Sequence, residues 1–436
     1  MQILKRIPYL ASLALLVYMP FHIFLSQWLS LATGGLDFWK AGKDGLLIIV
    51  VVFTICLVYA QGKGSRTFNW LLGVTVLYGV LHMSLWVIHP DIYDRSAMIG
   101  TMYNMRLPLF AILGFGAVLL VPKFVFSSVI KVMLITSSIV ATVGIVQFFL
   151  PDDILTHVGY SLDRGARPVF YIEDNRDLPH RIMSTLREPN ALGAFLILPI
   201  TVLATLGLRA KDRKRKYLYV LAAALHLAAL LLTFSRSAWL GAALALMLAG
   251  WWHFRERASD VLRRLWPVAV GAAVAFSLVA YTVRNTSFFQ QYVIHSNPAE
   301  QVSDLDSNDY HTLLTRQGLE GIANEPLGHG PGTAGLASIQ NPKGGQLTEN
   351  YYVQIGYEIG LPGIVLFLVL NIWMYVRIWK RHDYIAIALC AGFWAYVLTN
   401  MLLHTWSNEA VAAQWWILAG MALAMASPAK PHEVAR

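Results

Sequence analysis

Cysteine is nearly absent: Cys56 and Cys390 are the only two in 436 residues, which excludes a disulfide framework and a cysteine-based metal cluster. Charge is scarce as well. Asp, Glu, Lys and Arg together make up 14% of the chain, well below the share that coats a soluble domain. Acid is scarcer than base, 25 residues against 34, which leaves a formal charge of +9. The apolar runs also lack the two-residue alternation of a transmembrane barrel. What fills the chain instead is apolar: 56% hydrophobic residues and a mean hydropathy of +0.53, more than a core of this length needs to bury.

Apolar runs of about 17 to 25 residues, enough to cross a ~30 Å hydrocarbon layer as helix, recur from end to end. In lipid the backbone must satisfy itself, so these runs are read as helices. The reading is an all-α, polytopic integral membrane protein, one membrane domain over residues 1–436. About twelve transmembrane helices are expected, at 8–31, 44–61, 68–88, 106–122, 126–150, 190–208, 217–234, 237–253, 266–283, 351–378, 384–403 and 411–427. A large loop separates helices 9 and 10. The first span follows Lys5-Arg6 like a secretory signal. Its apolar stretch is too long for a signal core and no small-residue cleavage site follows, so it is expected to remain as an anchor.

Lys and Arg set the orientation. Lys63, Arg66, Lys123, the cluster Arg209 to Lys216, Arg255, Arg257, Arg377, Lys380 and Arg381 fall on one side, with Lys5 and Arg6. That side is expected to be cytoplasmic, with both termini. The net charge then reports topology and anionic-lipid contact, and no nucleic-acid fold accompanies it. Segments 151–189 and 284–350 emerge on the other face as extracytoplasmic loops, longer than ordinary helix connections. Their aromatics, including Phe170-Tyr171 and Phe288-Phe289, favour ordered loops.

Arginine is placed on the outer face against the positive-inside bias: Arg164, Arg167, Arg176, Arg181, Arg187, Arg284 and Arg316. A guanidinium offers a rigid fork of donors suited to phosphate. Arg164, Arg167 and Arg176 have acids as sequence neighbours, and pairing with those acids is the favoured reading for these three.

Three segments gather polar residues at outer span ends. In Arg181-Ile-Met-Ser-Thr-Leu-Arg187-Glu188-Pro189-Asn190, two arginines precede a helix start, where free N–H groups attract anions; ordinary capping is the plainer reading. In Leu232-Thr233-Phe234-Ser235-Arg236-Ser237-Ala238, Arg236 sits in a hairpin with almost no loop. It either lines a polar cavity or snorkels to headgroups. The third runs from Arg316, on an expected amphipathic helix over Tyr310 to Ala323, through Gly328-His329-Gly330-Pro331-Gly332 to Glu349-Asn350-Tyr351. The glycines let backbone approach a ligand closely, but without a preceding strand or a Lys-Ser/Thr pair this is no Walker loop.

Together these segments resemble the Wzy/O-antigen ligase superfamily of polytopic glycosyltransferases, and the chain is most like a lipopolysaccharide O-antigen ligase. The matching pieces are Arg181 with Ser184-Thr185 and Pro189-Asn190, then the Ser235-Arg236 hairpin. Arg316 with Pro326-Leu327-Gly328-His329-Gly330 follows, and Asn350 with Gly360 and Gly363. The resemblance implies a bacterial cell inner membrane enzyme with its site facing the periplasm. It would move an O-antigen glycan from undecaprenyl diphosphate to a sugar hydroxyl of lipid A–core, with no metal, nucleotide sugar or other cofactor. Where the ligase pattern has His before the Asn that starts the late helix, this chain has Glu349. Either Glu349 is the base, or His329 or His311 supplies it, or the chain is of another branch.

The residues suggest a division of labour. Arg181, Arg187, Arg236 and Arg316 suit the pyrophosphate and the charge growing on it, and Glu349 or His329 suits the proton of the acceptor hydroxyl. Asn190, Asn350 and Tyr351 suit positioning or sugar contact. Glu349 also reads as a first-turn acid favoured by a helix dipole, and His329 as a turn residue. One displacement would invert the anomeric configuration; retention would need a second, nucleophilic carboxylate. Trp406, Trp415, Trp416, Tyr351 and Tyr352 read as an interfacial belt or as sugar platforms. The alternatives are an O-antigen polymerase, a protein O-oligosaccharyltransferase and, outside enzymes, a transporter of a lipid-linked anion.

Overall fold

A computed structural model describes residues 2–121, 124, 126–254, 286 and 307–426. The expected span 266–283, Arg284 and the aromatics Phe288-Phe289 lie outside the described residues. Each of the other expected spans coincides with helix: α1 (Gln2–Tyr18) with α2 (His22–Thr33), α3 (Leu36–Ala60), α4 (Arg66–Ile88), α5 (Asp94–Leu120), α6 (Phe126–Gln147), α7 (Pro189–Arg209), α8 (Arg213–Leu232) and α9 (Arg236–Phe254). After them come α10 (Ser307–Asn324), the single turn α11 (Gly335–Ser338), α12 (Tyr351–Trp379), α13 (Tyr384–Leu402) and α14 (Glu409–Ala426). Among the described residues, nine helices are long and apolar enough to cross a membrane, α1 and α2 counting as one, and α14 is a shorter apolar helix. The fold is all-α and polytopic. Among the described residues strand is confined to β1 (Phe170–Tyr171) and β2 (His180–Arg181), an antiparallel pair.

Local chemistry explains where the helices bend. Pro20 lies in a 3₁₀ turn, Met19–Phe21, that separates α1 from α2, because proline gives no N–H and crowds the preceding turn. Helix α5 begins well before the span expected at 106–122. Asn104 and Arg106 depress the apolar signal there, yet both are fully buried. Arg106 donates to the Ser407 carbonyl and lies 3.6 Å from Glu409, and a buried charge persists when it is paired.

Small residues bring the central helices together. A Cβ on Gly114 of α5 would stand 2.2 Å from the Ile417 carbonyl oxygen of α14, and one on Gly420 of α14 would stand 2.1 Å from that of Ala111. This reciprocal contact lets two backbones touch, as small residues do between membrane helices.

The glycine-rich turn after α10 serves the break in α12. Ile359 and Gly360 leave helical geometry, Gly360 with φ +68°, and Pro362 brings no N–H. The turn supplies the missing bonds. His329 N–H donates to the Tyr357 carbonyl (2.9 Å), Gly330 N–H to that of Glu358 (2.8 Å), and Leu361 N–H to that of Pro326 (2.8 Å). A broken helix is tolerated at membrane depth when protein re-satisfies its backbone in this way. The close backbone approach expected for a ligand is therefore made to α12 and α5.

Gly332 carries the tightest part of that contact. Its φ is +75°, and a Cβ there would meet the Ser96 carbonyl oxygen at 2.0 Å. Gly332→Ala is expected to destabilise the protein by about 1–3 kcal/mol through backbone strain and by a similar ~1–3 kcal/mol through overpacking. A clear drop in melting temperature in detergent checks this; an unchanged one would contradict the packing described.

Candidate active site

The segment before α7 is clamped from two sides. Gln147, at the end of α6, accepts from the Met183 N–H (3.1 Å) and Ser184 N–H (2.7 Å) with its side-chain oxygen. On the other side Ile182 N–H donates to the Leu232 carbonyl (3.2 Å) of the α8–α9 hairpin. Arg181 completes the clamp: Nε–H donates to the Thr233 carbonyl (2.9 Å) and Nη2 to Asn190 Oδ1 (2.7 Å). The first two sequence segments thus form one surface. Gly193 lets α7 approach the hairpin, since a Cβ there would stand 2.7 Å from Ala238 Cβ. Arg236 opens α9 at this hairpin and is half-buried.

Arg187 is half-buried. Its guanidinium makes no hydrogen bond or ion pair among the described residues, but its charge acts on Glu188. Glu188 caps α7 in extended conformation, followed by Pro189 at the first helical position.

Glu349 approaches from the far side of the sequence. Its φ of +48° is left-handed, a strained choice for a side chain with a Cβ. Asn350 fixes the turn: its Oδ1 accepts from the N–H groups of Tyr352 (3.0 Å) and Val353 (3.1 Å), and its Nδ2 donates to the Met401 carbonyl (3.0 Å). Asn350 is thereby a helix cap. Thr315 of α10 donates to the Thr348 carbonyl (3.0 Å), which brings α10 alongside. His311 of α10 then lies 3.5 Å from Glu349 Oε2, and Thr348 Oγ1 lies 3.2 Å from His404 Nε2.

The two carboxylates are driven apart electrostatically. Burial pushes Glu349 up, but His311 and the His404 charge outweigh it and hold the carboxyl below its ordinary value. Burial and the charge of Glu349 push Glu188 up, against Arg187 and Arg181. Glu188, Glu349, Arg181 and Arg187 therefore share one electrostatic neighbourhood. One carboxyl is thus shifted down and the other up, the kind of separation on which acid–base sites are built.

Other expected residues stand elsewhere. Arg316 is 77% exposed and pairs with Glu320 of its own helix at 2.9 Å. His329 stacks on the Tyr357 ring, centroids 3.9 Å apart, and lies 3.4 Å from Glu325, in contact with neither Glu349 nor the arginines. Tyr351 is fully buried and donates to Asn104 Oδ1 (2.9 Å), so it acts within the protein and offers a sugar no face. Trp406, Trp415 and Trp416 are buried against one another, with Trp415 and Trp416 ring centroids 5.2 Å apart. They form core packing, where a belt or a sugar platform was expected. Arg167 does pair with a neighbouring acid, Asp174, at 2.6 Å. Arg164 instead ties its loop to α2 through Gln27 and Ser30.

Two carboxylates escape the sequence reading. Glu188 stands inside the first segment but is masked there by two arginines. Glu358 is fully buried in α12 and accepts from Asn104 Nδ2 (3.0 Å) and the Gly332 N–H (3.0 Å). An acid inside an apolar run is itself the signal that finds it. Asn104 also donates to His82 Nε2 (3.2 Å), so a polar network anchors the glycine-rich turn between α4, α5 and α12.

Residues 221–368 match the family model described as O-antigen ligase. The chain carries a Wzy-type O-antigen ligase domain. The match runs from α8 to the middle of α12 and includes Arg236, Arg316, Glu349 and Asn350. Arg181, Arg187, Glu188 and Asn190 lie before it, and Arg181 and Ile182 tie that segment to it through Thr233 and Leu232. No curated protein matches the chain. The match supports a ligase- or polymerase-like function with lipid-linked glycans as the general substrate class.

Proposed function

We propose that the protein is an O-antigen ligase of the bacterial inner membrane, moving a glycan from undecaprenyl diphosphate to a sugar hydroxyl of lipid A–core on the periplasmic face. What supports this reading is that Arg181, Arg187 and Glu188 at the start of α7 lie within electrostatic reach of Glu349, just before α12. The reaction needs cations beside a leaving pyrophosphate and a base beside an acceptor hydroxyl, and these two helix starts supply them.

Each group has a task. Arg187 offers an uncommitted fork to the pyrophosphate, Arg181 and Arg236 add charge from the clamp and the hairpin, and the N–H groups of α7 add their positive end. Arg316 adds a guanidinium from the rim, because an exposed pair such as Arg316–Glu320 costs at most about 1 kcal/mol to open. Glu349, ionised and oriented by His311, takes the proton as the acceptor oxygen bonds to the anomeric carbon and the carbon–phosphate oxygen bond breaks. The pyrophosphate leaves on its lipid. A single displacement inverts the anomeric configuration.

A deletion strain tests the assignment. Loss of glycan from lipid A–core, with polymer still accumulating on the carrier, supports a ligase. Glycan arrested at one repeat on core supports a polymerase, and unchanged lipopolysaccharide removes both. Complementation with Arg316→Ala is expected to restore roughly a tenth or less of capped core, and Glu320→Ala to restore it fully at equal protein level. Full restoration by Arg316→Ala would remove Arg316 from the mechanism.

A further inference from the structure

A groove of about 590 Å³ lies beyond the far end of α10, between residues 88–92 and the glycine-rich turn. We propose that it is a saccharide subsite, which rests on the glycosyltransferase reading and holds sugars remote from the bond being made. The two walls meet tightly: a Cβ on Gly330 would stand 2.0 Å from Ile92 Cδ1. Lys343 Nζ spans the groove to the Asp91 carbonyl at 3.3 Å.

Its chemistry is that of a neutral, polyhydroxyl ligand. Among the described residues no arginine lines it, whereas a phosphate site calls for the guanidinium fork. Among the described residues Lys343 is the one lysine in the lining, and Asp91 and Glu325 line it as well. The polar groups have fixed directions. Glu325 is held between His89 (3.7 Å) and His329 (3.4 Å) while remaining 43% exposed, so its carboxylate is both oriented and reachable for hydroxyl donors. Asn341 uses its Oδ1 on the Lys343 N–H (3.0 Å) and, as a lining residue, keeps its amide NH₂ as a donor for a hydroxyl. The parallel His329–Tyr357 stack, 5° between planes, gives the flat apolar surface that sugar C–H faces pack on. Among the described residues no group of His, Cys, Asp and Glu is arranged to hold a metal ion, which sets the His89–Glu325–His329 trio apart from a metal centre.

Position sets its role. His311, beside Glu349, and Glu325, in the groove, are separated by α10, about 20 Å at ~1.5 Å per residue. A sugar held there is several residues along the glycan from the reacting anomeric carbon or hydroxyl. Binding there that is equal in the ground and transition states lowers KM and leaves kcat unchanged.

The test uses the full chain in detergent and two free oligosaccharides, the repeat unit released from the carrier and the core released from lipid A, each followed by saturation-transfer NMR. One of them is expected to bind, naming the groove's ligand as donor glycan or acceptor core. Glu325→Ala and Asn341→Ala are each expected to weaken it about tenfold with melting temperature retained. In transfer assays the same variants raise KM for the matching substrate about tenfold at unchanged kcat, and leave a substrate truncated to its reacting sugar unaffected. Binding of either oligosaccharide that is untouched by both variants overturns the subsite, as does binding of neither or a change equal for full and truncated substrates. Oligosaccharide binding lost in the variants of a chain without transfer activity keeps the subsite and overturns the enzyme reading.

Discussion

Glu349→Gln is expected to lower kcat for glycan transfer by about 10²- to 10⁴-fold, the range that a positioned general base contributes. The substitution keeps shape and hydrogen-bonding capacity but cannot take a proton. Its effect falls on kcat, because the base acts while the new bond forms. The pH dependence has a definite sign. The Glu349 carboxyl is held below its ordinary value of 4.5, so the base is ionised at neutral pH, and activity through it is lost only as pH falls through that depressed value. The linked stability runs the same way: the favourable setting beside His311 is fully present above the ordinary carboxylate value and disappears as pH drops through the folded one. A profile of kcat/KM with its acid limb below 4.5 agrees with Glu349. A limb near the ordinary histidine value, retained in Glu349→Gln, would move the role to an imidazole.

Arg187→Ala is expected to cost about 10²- to 10³-fold in kcat, the loss seen when one donor to developing negative charge is removed. The expectation is larger for Arg187 than for its neighbours because of what it does in the unliganded protein. Arg181 is tied to Thr233 and Asn190, so replacing it also unpicks the clamp before α7. Arg187 makes no such bond among the described residues, so its replacement should leave melting temperature unchanged. Arg187→Lys keeps the charge and loses the fork, and should fall between wild type and Arg187→Ala. The variant also removes a cation that opposes the upward push on Glu188, so Glu188 should take up its proton at higher pH in Arg187→Ala. Activity retained in Arg187→Ala at wild-type kcat would remove this arginine from the pyrophosphate site.

Sequence was a good guide where physics is local. Apolar run length located the helices, and the residues at the start of α7 and in the α8–α9 hairpin announced themselves as span-end polar groups. The structure then joined these segments through Arg181. It was a poor guide where one residue's role depends on a partner far along the chain. Asn350 reads as a ligand contact until its side chain is found capping α12. The glycine-rich turn reads as a ligand cradle until the break at Gly360 is seen to take the N–H groups of His329 and Gly330, and Glu358 that of Gly332. Trp406, Trp415 and Trp416 read as a belt because their distance from the helix ends says nothing of which neighbours cover them. Glu358 is legible in the sequence, since an acid in an apolar run needs partners.

The most direct measurement is transfer by the purified chain in lipid nanodiscs, given undecaprenyl-diphosphate-linked glycan and lipid A–core and no nucleotide sugar. The mechanism predicts glycosylated core with inverted anomeric configuration from the wild type, and about 10²-fold less or lower from Glu349→Gln and Arg187→Ala at equal folding. No product from the folded wild type, or equal product from both variants, would contradict it.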